Sequence, residues 1–141
     1  MNNVLLSLTL LLGMALLFTA CDSDDDHHHS DDNEINIMIL SPMDGEVISM
    51  EDASAVEIHV VVEATEENHD VEIELYPVGE SANKILDWHL HTHDQLVEFA
   101  NDPVDLSSFE AGTEFHLEVK ACIDHDCDER ETKHIHFTIA D

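Results

Sequence analysis

Apolar residues recur at every second position through most of this chain beyond Glu34, and alternation of that period belongs to half-buried β-strands. Val56, Ile58, Val60 and Val62 fall on one face of a segment whose other face carries Glu57, His59, Val61 and Glu63. Val71, Ile73 and Leu75 alternate with Glu72, Glu74 and Tyr76, before Pro77-Val78-Gly79 breaks the run. Leu86, Trp88 and Leu90 alternate with Asp87, His89 and His91. Phe115, Leu117, Val119, Ala121 and Ile123 alternate with His116, Glu118, Lys120 and Cys122, and Ile135, Phe137 and Ile139 alternate with His134, His136 and Thr138. With a first strand over residues 35–40 and a weaker one over 95–100, the pattern predicts about seven strands and no helix. The fold class expected is all-β, an immunoglobulin-like antiparallel β-sandwich, in which each of two sheets has one core face and one wet face.

Residues 1–20 stand apart from this pattern. From Val4 to Ala20 the chain is almost wholly apolar, and it ends in Leu17-Phe18-Thr19-Ala20-Cys21, which resembles a lipobox. The run is short for a bilayer span, so it reads as a lipoprotein signal peptide removed on export, with Cys21 as the lipidated first residue of the mature chain. Two features depart from the usual pattern: Phe18 takes the place of the common Leu, and Met1-Asn2-Asn3 carries no Lys or Arg. Residues 21–33, rich in Asp and carrying the triplet His27-His28-His29, have nothing to bury and read as a disordered acidic tether. Acidic residues directly behind the lipidated cysteine resemble the surface-export signal of Bacteroidota lipoproteins. They imply anchoring in the outer membrane with the domain at the cell surface. The globular part is then residues 34–141, one domain with a single core.

The chain holds 33 Asp and Glu against 4 Lys and Arg, for a formal net charge of −29. Phosphate binding needs a positive footprint, so nucleic acid is excluded as a partner. Such a surface attracts cations, which gives its 12 histidines weight.

Further motifs carry a family resemblance. The opening Ile-x-Ile followed by Ser41-Pro42-Met43-Asp44-Gly45 looks like bacterial Ig-like modules, and residues 104–113 resemble their turn before the penultimate strand. Together with the lipobox, the segment His89-x-His91-x-His93 and the closing strand pair, the chain over residues 34–141 resembles the DUF4625 family of small Bacteroidota lipoproteins. That resemblance implies fold and location and leaves function open.

The histidine pattern is the richest chemical signal. His89, His91 and His93 are expected on one strand face, and His134 and His136 on one face of the last strand, each opposite the apolar residues. His59 and His116 follow the same rule. Imidazoles two residues apart on a strand can share a cation with a ligand from a neighbouring strand. In an Ig-like order the His116 strand pairs with the last one, making His116, His134 and His136 the tightest expected set, with Glu118 beside it. His89, His91 and His93 form the second. The metal expected is zinc or copper, and calcium fits less well. Asp124, Asp126 and Asp128 alternate as calcium ligands can, but Glu129 and Ile135 stand where an EF-hand loop needs Gly and Glu. Polar residues of half-buried strands point outward whatever their role, so the competing reading is an adhesion or accessory module for a protein or glycan, with the histidines as solvated or pH-responsive groups.

With Cys21 acylated, Cys122 and Cys127 remain. A disulfide is the default for an exported hairpin loop, and a Cys/His metal site with His125 is the alternative. The sequence has no Gly-rich phosphate loop, no Gly-x-Ser-x-Gly elbow and no His-Glu-x-x-His helix, and it reads as a binding module rather than an enzyme.

Overall fold

A computed structural model describes residues 33–100 and 102–141. The expected signal peptide, Cys21 and all but the last residue of the expected tether lie outside the described residues. That last residue, Asn33, belongs to the domain. It is buried; its Nδ2 donates to the carbonyls of Glu67 and Ile123 at 2.8 and 3.0 Å, and its Oδ1 accepts from the Glu66 amide.

The strands are β1 (Ile35–Ser41), β2 (Val47–Ser49), β3 (His59–Ala64), β4 (Asp70–Pro77), β5 (Leu86–His91), β6 (Leu96–Ala100), β7 (Glu114–Cys122) and β8 (Arg130–Ala140). They form two sheets, in the orders β1-β3-β6 and β2-β8-β7-β4-β5, and the domain is an immunoglobulin-like sandwich. Eight strands replace the expected seven because Val47–Ser49 is too short to show a period of its own. It pairs in parallel with β8, so the sandwich is not wholly antiparallel. The Pro42-Met43-Asp44-Gly45 turn carries the chain from one sheet to the other. Gly45, at φ +74°, adopts the left-handed backbone that favours glycine, and its amide reaches the His136 carbonyl at 2.7 Å.

Alternation delivers the core. Val60, Val62, Val97 and Phe99 from the small sheet meet Val71, Ile73, Leu75, Phe115, Leu117, Val119, Ile135, Phe137 and Ile139 from the large one, all buried. Phe115 stacks on Phe137 with ring centroids 5.3 Å apart. Val56 and Ile58 are buried as expected, but strand pairing in β3 starts only at His59, and Val56 makes an isolated bridge to Val104. On the edge strand β5 the apolar face is half-buried, and Trp88 packs edge-on to Phe99 across the sandwich at 5.1 Å. Cys122, expected on the wet face of β7, is buried as the strand ends.

Candidate metal centre

The pairing of β7 with β8 sets His116 directly opposite His136 and Glu118 opposite His134, so the three histidines singled out from the sequence do meet on the outer face of the large sheet. Their geometry is that of a packed stack. His116 lies between Tyr76 and His134, with ring centroids at 4.9 and 5.0 Å and planes within 25° and 21° of parallel. Its Nδ1 is 2.8 Å from His136 Nε2. The lone pairs of imidazole lie in the ring plane, so the nearly parallel rings of His116 and His134 do not aim at one ion without turning.

Burial, the charge of His136 and that of His134 push the His116 pKa below the usual value of 6.5, against the opposing pull of Glu118. A histidine whose pKa is depressed on folding adds stability above its unfolded value and loses it as pH falls through the folded one. The melting temperature should therefore fall as pH drops below about 6.5, and His116→Gln should flatten that slope. Equal slopes in the two proteins would show that His116 does not govern it.

His89, His91 and His93, the second expected set, do not share a strand face. β5 ends at His91, although the Thr92 amide still donates to the His69 carbonyl at 2.8 Å. His93 lies just beyond the strand, with its ring 5.3 Å from that of His91. His89 Nε2 and His91 Nδ1 both bond Asp70 Oδ1, at 2.8 and 3.2 Å. Burial would raise the Asp70 pKa, but these hydrogen bonds and the adjacent imidazole charge outweigh it and hold the carboxyl below its ordinary value.

His93 turns instead toward the β3–β4 loop. Glu67, His69 and His93 place one donor atom each within 4.8 Å of one another. His93 Nδ1 is 3.2 Å from Glu67 Oε2, and His69 Nε2 is 3.8 Å from Glu67 Oε1. Ligand atoms on a tetrahedral zinc, at bonds of about 2.0–2.1 Å, lie about 3.4 Å apart, and the centroids of two ligating imidazoles lie about 5 Å apart. The His69 and His93 centroids are 5.4 Å apart at 88°. The two Glu67 separations, 3.2 and 3.8 Å, bracket the ligand spacing of about 3.4 Å. His69 is the least exposed of the group, at 8%; its Nε2 faces Glu67, while its other nitrogen, the buried Nδ1, has no hydrogen-bond partner among the described residues.

The loops that carry these donors are stitched together by side chains. Asn68, fully buried, donates Nδ2 to the carbonyls of Asp94 and Gln95 at 3.0 and 3.2 Å, while its amide also bonds Asp94. That fixes the β3–β4 loop against the β5–β6 loop. Asn33 ties the Glu67 carbonyl to Ile123, at the start of the β7–β8 loop. Donors held by a hydrogen-bonded scaffold lose little freedom on binding an ion. One carboxylate and two imidazoles form a hard-to-borderline donor set suited to zinc or copper, and they leave a fourth tetrahedral position open.

Sequence reasoning found His93 in this group and missed Glu67 and His69. The available signal was the run Glu66-Glu67-Asn68-His69-Asp70, where a carboxylate and an imidazole stand two residues apart at a strand entrance. Cys122 and Cys127 are joined in a disulfide, with Cα atoms 4.9 Å apart, closing the loop that carries His125. Comparison with protein-family models and with curated proteins finds no match to this chain.

Proposed function

We propose that the chain is a lipid-anchored, extracytoplasmic Ig-like module that binds a divalent transition metal, zinc or copper, at the histidine-rich end of its sandwich. The convergence of His69 Nε2, His93 Nδ1 and the Glu67 carboxylate carries this reading. The strongly acidic chain, at a formal −29, supports it by concentrating cations near the surface. Binding rather than catalysis is the role, as a scavenger, buffer or delivery protein. Zinc titration of residues 33–141, a unit with its own closed core, tests it. An ion that binds only the native state must raise the melting temperature, by the equivalent of about 2.7 kcal/mol at a hundred times its dissociation constant. No shift with either zinc or copper below millimolar concentration would refute the reading.

The anchoring half rests on the Leu17-Phe18-Thr19-Ala20-Cys21 segment and its resemblance to a lipobox. Replacing Cys21 by Ser should abolish metabolic palmitate incorporation and leave an uncleaved or mislocalised precursor. Labelling that persists in the variant would overturn it.

A further inference from the structure

The β7–β8 loop offers one more imidazole to the same end of the sandwich. His125 lies in the six-residue segment closed by the Cys122–Cys127 disulfide. Its ring centroid is 5.7 Å from that of His69 at 75°, and 6.3 Å from that of His91 at 67°. The first separation is within about an ångström of the roughly 5 Å expected for two imidazoles on one tetrahedral ion; His125 lies outside the group whose donor atoms are within 4.8 Å of one another, so its ring must swing inward to ligate. His91 is the other nearby imidazole, but its ring contacts are with His93 and His125, at 5.3 and 6.3 Å, whereas His125 packs on His69 itself. The loop is held in place independently of any ion. The Ile123 amide bonds the Glu129 carbonyl at 2.9 Å, the Asp128 amide bonds Asp124 Oδ1 at 2.9 Å, and Asn33 binds the Ile123 carbonyl.

Resting on the metal reading above, we infer that His125 is the fourth ligand of the ion held by Glu67, His69 and His93, and that the Cys122–Cys127 bond keeps it within reach. The site then has four protein ligands, three imidazoles and a carboxylate, which is the closed arrangement of a storage or structural ion rather than the open one of a hydrolytic centre. It also makes retention of the metal depend on the disulfide. A covalently closed loop presents His125 at a fixed position, whereas the opened loop samples many and dilutes it.

Zinc affinity, with zinc alone as probe, decides the matter in the full chain in detergent with His27, His28 and His29 replaced by glutamine to silence the tether. His125→Ala should weaken binding by about 100-fold, less than His69→Ala, because His125 is exposed and water can take its place. Cys122→Ala with Cys127→Ala should weaken it comparably, and adding His125→Ala to that pair should cost little more, because the two changes remove the same contact. His69→Ala separates the two levels of the claim. If it leaves affinity unchanged, the Glu67/His69/His93 site itself is wrong; if it abolishes binding while His125→Ala does nothing, only the fourth ligand is wrong. Should the cysteine pair variant fail to fold, zinc-edge X-ray absorption still decides, since His125→Ala must remove one of three imidazoles from the shell. An unchanged imidazole count overturns the inference.

Discussion

Replacing His69 by alanine should lower zinc affinity by at least about 100-fold, because loss of a direct ligand exceeds the 10- to 100-fold cost of losing its supporting contacts. Position makes His69 the most sensitive of the group. It stands immediately before β4, is buried, and holds its Nε2 toward Glu67. Glu67 and His93 are more exposed, with side chains 44% and 57% accessible, so water can take their place with less loss. Isothermal titration with zinc measures the change directly. His69→Ala should also leave the fold intact, since the residue lies at the end of the sandwich and outside the apolar cluster between the sheets. An affinity within threefold of the parent protein would remove this residue from the site.

The largest effect on stability should come from Phe115→Ala. Phe115 is fully buried between Phe109 and Phe137, with centroids at 5.1 and 5.3 Å, so truncation leaves a cavity that close-packed neighbours cannot fill. The cost should be about 3–5 kcal/mol, a large share of the roughly 5–15 kcal/mol that holds a domain of this size folded. Urea denaturation should show the midpoint fall sharply with little change in slope. A loss below about 1 kcal/mol would mean that the two sheets repack around the gap.

Alternation made most of this sandwich legible. Any strand long enough to repeat its pattern, such as Asp70–Pro77 or Glu114–Cys122, declares which residues face the core, because adjacent side chains on a strand point to opposite sides. β2 escaped since three residues contain too little pattern to read. The His116, His134 and His136 cluster was also legible, as the expected neighbour relation of β7 and β8 is the observed one. What alternation does not carry is ring orientation, and the stacking of His116 between Tyr76 and His134 follows from packing on the sheet surface.

The end cluster was opaque for a different reason. Glu67, His93 and His125 belong to three loops, and His69 to a fourth position just outside β4. Loops have no period, so the sequence offers no rule for where their side chains point. Their convergence is a product of topology, which brings the β3–β4, β5–β6 and β7–β8 connections to the same end, and of Asn33 and Asn68, whose amides bind those connections together. Neither asparagine carries an apolar or charge signal, and each matters through the carbonyls it reaches.

The central claim is that an ion sits among Glu67, His69 and His93. Zinc-edge anomalous diffraction from crystals of the domain grown with equimolar zinc tests it most directly. The account predicts one strong anomalous peak within about 2.0–2.2 Å of a donor atom from each of these three residues. A peak on the sheet face at His116, His134 and His136 alone, or no peak on any histidine, would contradict it.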